Sequence, residues 1–413
     1  MDDPADDRES IPRAQPSERK PLDDVRVIDA GNLVAVPAAT NLLADFGADV
    51  IKIEHPEYGD NLRDLDPHKD GIGLWWKVTA RNKRSLTLDL STAEGAAVFR
   101  DLAGEADVVA ENFRPGTMER WGIGFETLHE INPELVMLRI SGYGQTGPYK
   151  DRPGFGRVAG AFSGSTNLIG EADGPPITPG YPLGDNVSAI LGAFGTMVAL
   201  WEREVNGGVG QVVDLALYES LFRMLEWNAI EYDQTGNARQ RAGNTHAYVA
   251  PSSTYETADG EWLTMTASTQ NVWRRLCRAM DREDLIEADR FVDNEARVEH
   301  SDEVNGIVRD WVGDHTREEV EATWDEHEVA YSTVYDIADI FADEHYRKRG
   351  SMVRVDDDQL GETVVQNVAP RLTETPGEID HLGPTQGEHT EEILDELGYD
   401  QDRIDALADA GVI

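Results

Sequence analysis

Between Val25 and Ser141, apolar runs of strand length alternate with amphipathic runs of helix length. VRVIDAGN reads as a buried strand, PAATNLLADFGA as a helix closed at Gly47, and DVIKIE as a second strand, together a βαβ unit. The alternation continues through SLTLDL, TAEGAAVFRDLAGEA, DVVAEN, a short helix over 126–131, and ELVMLRIS. Strands and helices at this spacing predict a doubly wound, Rossmann-like α/β domain with a parallel sheet. After Asp185 the run NVSAILGAFGTMVALWERE predicts a buried helix, with Gly192 and Gly195 permitting close packing. QVVDLAL then reads as a strand and YESLFRMLEWNAIEY as a helix leading out of the domain.

From Asn237 the pattern changes to loop and hairpin (RAGNTHAYVAPSSTYETADGEWLTMTA), followed by helices over 272–280 and 302–310. This predicts a smaller α+β domain over 237–334, between a large domain over 21–236 and a C-terminal part over 335–413. VVQNVAPRL in that last part reads as a strand, and HTEEILDELG as an amphipathic helix stopped at Gly398. Residues 1–20 are polar and proline-bearing, which predicts a flexible tail.

Charge changes this picture most. Asp and Glu number 79 against 37 Lys and Arg, for a net charge of −42 over 413 residues. That excess repels polyanions, so nucleic acid is not expected as a partner. Only seven residues are Lys, and the acids are spread along the chain, a pattern that resembles proteins of salt-accumulating haloarchaea. The single cysteine, Cys277, allows neither an internal disulfide nor a multi-cysteine metal site, which fits a reducing interior. No signal-peptide core opens the chain and no run approaches 18 apolar residues, so a cytoplasmic protein without a membrane segment is expected.

Gly142, Gly144 and Gly147 form a G-x-G-x-x-G after a strand, but Pro148 and the polar YKDRP follow where a dinucleotide fold would open a helix. Phosphate-loop, zincin and serine-elbow motifs do not occur, and acidic groups such as VDDDQ read as solvated surface rather than a metal site. Asp185 has two readings: a helix N-cap, or a carboxylate at a helix N-terminus able to attack an acyl carbon. In ENFRPGTMERWG, Asn112, Phe113, Arg114 and Arg120 follow a strand end, where open α/β sheets bind ligands. A ring beside two guanidiniums suits an adenine nucleotide; surface ion pairing is the structural alternative.

Taken in order, LLADFGADVIKIE, NKRSLTLDL, ADVVAENFRPGTMERWG, NPELVMLRISGYGQTGPY, the PLGD segment and GEHTEEILDELG resemble the family III CoA-transferases, which include formyl-CoA transferase and the carnitine CoA-transferases. The resemblance covers nearly the whole chain. It implies a large domain built from both chain ends, a small inserted domain, and a homodimer of interlocked chains. It also implies that Asp185 attacks an acyl-CoA and carries CoA as an aspartyl thioester to an acceptor acid, with coenzyme A as substrate and no tightly bound cofactor or metal. Val34 and Ala35 would lie beside the thioester. Leu88, Asn112, Phe113, Arg114 and Arg120 would hold the nucleotide end, and Phe155 and Gly156 the pantetheine.

Two departures stand out. NTHAYVAP replaces a glycine-rich loop, with His246 and Tyr248 as candidate substrate contacts, and Val34 replaces a glutamine. A racemase relative carries a His where this chain reads PGFGRVAG, so transfer is expected over racemisation or isomerisation, and over non-catalytic acyl-CoA binding. Arg157 in that stretch is either an anchor for a distal carboxylate or an ion-pair partner. Succinyl-CoA and a C4 or C5 dicarboxylic acid such as mesaconate are the expected substrates.

The charge generates a prediction about salt. The Debye length is about 3 Å at 1 M and about 10 Å at 0.1 M, so self-repulsion should unfold or inactivate the protein as KCl is lowered to 0.1 M. Circular dichroism and activity across a KCl series test this, and full activity in dilute buffer would refute it.

Overall fold

The structure, a computed structural model, describes residues 10–14 and 20–413. It divides into two units, one formed by the chain up to Ser165 with Pro179–Ala229 and Asp343–Ile413, the other by Thr166–Thr178 with Ile230–Ala342. The second unit therefore begins at Ile230 rather than 237, ends at Ala342 rather than 334, and takes in a segment that the hydrophobic pattern leaves in the first.

The first unit is built on β1 (Arg26–Asp29), α1 (Ala35–Ala44), β2 (Asp49–Glu54), β3 (Lys83–Thr87), α2 (Ala93–Gly104), β4 (Val108–Glu111), β5 (Val136–Ser141), α3 (Gly156–Phe162), α4 (Leu183–Asn206), β6 (Val212–Ala216) and α5 (Leu217–Met224). Its six strands are all parallel, in the order 3-2-1-4-5-6. The central strands are rich in Val and Ile and buried on both faces, as a parallel sheet covered by helices requires. In register, Val27 faces Val50 on one side and Val108 on the other. Order reverses between β1 and β4, and the carboxyl ends of those strands form the crevice where such sheets take ligands.

Within the sheet's helical cover, α4 packs Ala189, Gly192, Ala193, Thr196, Ala199 and Leu200 inward. By length and apolar content it is a helix that could cross a membrane, but that face lies in the core of the unit. Its other face carries an exposed stripe of Ile190, Phe194, Val198, Trp201 and Val205.

A chain of buried charges runs beneath the crevice. Lys83 Nζ lies 2.8 Å from Asp29 Oδ2, and Lys52 Nζ lies 3.1 Å from Asp60 and 4.0 Å from Asp29. Thr40 Oγ1 donates to Asp29 at 2.7 Å, and Lys83 also donates to the Pro37 carbonyl at 2.6 Å. Burial by itself would raise the Asp29 carboxyl, but Lys83 and Lys52 hold it below its ordinary value.

After the second unit the chain returns through α10 (Glu344–Arg349), the hairpin β10 (Met352–Asp357) and β11 (Gly361–Gln366), α11 (Thr390–Glu396) and α12 (Gln401–Asp409). VVQNVAPRL is strand only as far as Gln366. Ile393, Leu394, Ile404 and Leu407 are buried in one cluster with Ile28 and Phe99, so the C-terminus completes the core begun by the N-terminus.

Within the expected flexible tail, the described residues 10–14 are docked. Ile11 is buried, Arg13 bridges Arg354 in parallel, and Arg13 pairs with Asp356 and Glu362. Lys20 pairs with Glu378. Partners more than 300 residues away supply the order that local composition lacks; the rest of the tail lies outside the described residues.

The second unit sets the antiparallel strands β7 (Ser252–Glu256), β8 (Trp262–Thr266) and β9 (Tyr331–Thr333), with β8 central, against α6 (Gln270–Ala279), α7 (Asn294–Glu299), α8 (Ser301–Gly313) and α9 (Arg317–Glu326). Trp273, Trp324, Phe291 and Cys277 fill its core.

Removing one partner of the buried charge chain should be severe. Lys83→Met leaves Asp29 with Lys52 at 4.0 Å as its nearest cation, and a loss of about 3–5 kcal/mol is expected in denaturant unfolding at fixed KCl. A loss below about 1 kcal/mol, the scale of an exposed pair, would show that the chain carries little of the fold.

Candidate active site

The turn joining β1 to α1 is held by side chains rather than by glycines. Asp29 Oδ1 accepts the Gly31 N–H at 3.0 Å, Lys52 donates to the Gly31 carbonyl at 2.6 Å, and Asp60 Oδ1 accepts the Leu33 N–H at 3.1 Å. Asn112, from the end of β4, donates to the Asn32 carbonyl and accepts the Asn32 N–H, both at 2.8 Å. These bonds cross the point where strand order reverses. They hold Leu33 at φ 66°, a left-handed conformation costing roughly 1–3 kcal/mol in a non-glycine residue. Asn112 thus fixes the turn, where the resemblance implies a nucleotide contact.

The turn delivers Val34 and Ala35 to the start of α1. Val34 is packed with Leu62, Trp76 and Ala80, and Ala35 shares a buried cluster with Ala159 of α3 and Ala189 of α4. On the other side of the turn a cavity of about 140 Å³ opens at the strand ends. Gly31, His55, Tyr58, Leu88 and Phe113 are among its walls. Phe113 stands edge-on to Trp121 at 5.1 Å, and His55 stacks on Tyr58 at 3.7 Å. The Phe113 N–H is anchored on Glu111, whose other oxygen accepts from Arg139, each at 2.6 Å. Burial pushes the Glu111 carboxyl up to about 7 against the opposing pull of Arg139.

Arg114 and Arg120 are exposed near this cavity's Phe113 wall and, among the described residues, neither pairs with a carboxylate. Arg120 donates to Thr117 Oγ1 at 2.8 Å. In a chain with twice as many acids as bases, surface ion pairing is therefore not what holds these two arginines. Arg157, on α3, is likewise exposed and unpaired among the described residues, which removes the ion-pair reading for it as well.

Asp185 stands in the first turn of α4, behind an N-cap at Pro182, so it is not the cap itself. Its carboxylate lies directly on Gly156, the first residue of α3. A Cβ on Gly156 would fall 2.1 Å from Asp185 Oδ2, and one on Gly184 would fall 2.9 Å from the Gly156 carbonyl oxygen. The two helix starts meet at a distance only glycine permits. Phe155 precedes this contact as the N-cap of α3, with 64% of its surface exposed. No cation pairs with Asp185 among the described residues; burial pushes its carboxyl up to about 6, opposed only by its own backbone N–H. A carboxylate of raised basicity, poor in partners, is poised to attack an electrophilic carbon.

His246 and Tyr248 belong to the second unit. The Tyr248 hydroxyl donates to Glu231, and His246 Nδ1 accepts the Tyr248 N–H at 3.1 Å. Their loop is held from α7 and α8. Asn294 donates to the Tyr248 carbonyl at 2.9 Å, Arg297 to the Ala250 carbonyl at 2.7 Å, and Asn305 accepts the Ser252 N–H at 3.2 Å. Arg297 is fully buried with no carboxylate partner among the described residues, and burial pulls its guanidinium below the ordinary range.

The first unit thus gathers Leu88 and Phe113 about one cavity, and Ala35, Gly156 and Asp185 about the meeting of α1, α3 and α4. The residues missed in the sequence are the supporting charges Asp29, Lys52, Asp60 and Lys83. A signal was present: with only seven lysines in the chain, those inside apolar strands require buried partners.

The raised Asp185 carboxyl fixes the sign of a stability change. As pH rises from 3.8 to about 6 the unfolded chain ionises first, so Asp185 costs stability above that window and none below it. Discounted for solvent screening, Asp185→Asn should gain about 1–2 kcal/mol in urea unfolding at pH 8 and nothing at pH 3. An equal effect at both pH values would show the carboxyl to be unshifted.

The family model "CoA-transferase family III" matches residues 22–390. Succinyl-CoA–D-citramalate CoA-transferase of Chloroflexus aurantiacus is 43% identical over 95% of this chain and 98% of its own. Succinyl-CoA:mesaconate CoA-transferase of Haloarcula marismortui is 36% identical over 92% of this chain and 97% of its own. Among solved structures, a CAIB/BAIF family protein from Brucella suis superposes with a TM-score of 0.81 at 30% identity, covering 92% of this chain and 100% of that one. The chain belongs to CoA-transferase family III and is a CoA-transferase.

Proposed function

We propose that the enzyme moves CoA from succinyl-CoA to a C4 or C5 dicarboxylic acid through covalent intermediates on Asp185. The observation that carries this reading is the partner-poor carboxylate of Asp185 pressed on Gly156. A carboxylate oxygen of Asp185 attacks the thioester carbonyl and CoA leaves as thiolate, forming a mixed anhydride. The thiolate then attacks the aspartyl carbonyl, releasing succinate and leaving an aspartyl-CoA thioester. The acceptor carboxylate attacks that thioester, CoA thiolate leaves again, and its attack on the acceptor's acyl carbon frees Asp185 and the new acyl-CoA. Each exchange conserves the activation of the acyl bond, so no external energy source is consumed.

Leu88 and Phe113 would take the adenine end of CoA, with Arg114 and Arg120 available to its phosphates because, among the described residues, neither forms an ion pair with a carboxylate. Val34, Ala35, Phe155 and Gly156 would flank the pantetheine and thioester. Arg157, unpaired among the described residues and on the same helix as Gly156, suits the distal carboxylate of the acid. The acceptor class is supported by the relatives, named for citramalate and mesaconate, two acids on one five-carbon skeleton. Racemisation calls for a base opposite the carboxylate, and the stretch against Asp185, residues 153–160, contains no histidine. The exposed apolar stripe on α4 supports a homodimer, in which a second chain would cover it.

Intact mass after incubation with succinyl-CoA and hydroxylamine tests the intermediate. A hydroxamate on the Asp185 peptide, absent in Asp185→Ala, is expected; an unmodified but active enzyme would refute the covalent role. Parallel assays with mesaconate and citramalate then rank the acceptors. Because ionised Asp185 is the nucleophile, kcat/KM should fall about tenfold per unit below about pH 6.

A further inference from the structure

A second cavity of the first unit lies away from the strand ends, between the C-terminus of α10 and the segment that follows β11. Its volume is about 280 Å³. Arg349 and Arg371 stand in its wall beside Asn367, and Pro370, Leu372 and Pro376 supply an apolar side. Among the described residues, no Asp or Glu lines it. The crevice cavity, by contrast, is lined by Glu54, Asp60 and Asp89, and a cavity of the second unit by Glu321 and Asp325.

The contrast matters because acids outnumber bases 79 to 37 in this chain. Nevertheless neither guanidinium forms an ion pair among the described residues. Arg371 makes one hydrogen bond, from Nη2 to the Gly350 carbonyl at 2.5 Å, and Arg349 makes none. The floor between them is rigid. Gly350 ends α10 with φ 64°, and its carbonyl also accepts from Asn367 Nδ2 at 2.9 Å, while Asn367 Oδ1 takes the Val368 N–H at 2.8 Å. The dipole of α10 favours a cation at Arg349, but it does not account for Arg371, which is on no helix, facing the same space.

We propose that this cavity binds a small dianion with a short apolar body, a dicarboxylate or a phosphate ester, through the free donors of Arg349 and Arg371. Planar guanidiniums suit either group because each presents paired donors to two oxygens. Such bonds survive molar salt, where the Debye length of about 3 Å removes long-range attraction and leaves short contacts. The site is separate from the transfer chemistry and does not rest on it.

Isothermal titration in 2 M KCl with saturating CoA, using succinate and inorganic phosphate as probes, tests the proposal in wild type, Arg349→Gln and Arg371→Gln. Arg349→Gln gives up no hydrogen bond of the fold, so an unchanged melting temperature is expected. One binding event should weaken at least about tenfold in each variant, while any event at the transfer site stays the same in all three. Loss of a succinate event identifies a dicarboxylate site, and loss of a phosphate event a phosphate-ester site. Isotherms identical in the three proteins, or binding abolished by chloride in wild type, would overturn the proposal and leave an adventitious ion only.

Discussion

Everything at the carboxyl edge of the sheet depends on four charges taken out of water. Asp29, Lys83, Lys52 and Asp60 neutralise one another in the core, and Asp29, Lys52 and Asp60 each also bond the backbone of the β1–α1 turn. A buried ion carries a desolvation cost of several kcal/mol, and this group meets it only while all members are in place. What the arrangement secures is position. The turn keeps Leu33 in a left-handed conformation and delivers Ala35 to the helix start that meets α3 and α4.

That meeting is the second constraint, and it is steric. Gly156 and Gly184 let two helix starts approach until the Asp185 carboxylate rests on backbone. The close fit keeps cations and most donors away, and the lack of partners raises the carboxyl to about 6. Basicity and instability thus have one origin, since the contact that makes the carboxylate basic also makes its ionisation unfavourable. The charges beneath the turn show the opposite case, in which mutual pairing holds Asp29 ionised in a place still more deeply buried.

Much of this was legible along the chain. The Val- and Ile-rich strands, the helices between them and the long helix after Asp185 follow from local periodicity, because each element needs one face or two faces apolar whatever it packs against. Asp185 was legible as a candidate but misplaced as a cap: the helix begins at Leu183, ahead of it, under a proline. The docked residues 10–14 and the boundary at Ile230 were not legible. Both depend on contacts whose partners lie far away in sequence.

The sequence by itself determined the class of fold and the family, and it singled out Asp185 as the candidate nucleophile, because periodicity and ordered local strings are written in neighbouring positions. Only the tertiary structure decided which charges pair. Among the described residues it left Arg114, Arg120 and Arg157 without an ion pair in a chain full of acids, engaged Asn112 with the turn, and buried Lys52 and Lys83 beside Asp29 and Asp60. The reason is range: a hydrophobic face is a property of one segment, whereas a salt bridge or a 2.1 Å clash is a property of two segments that meet only when the chain is folded.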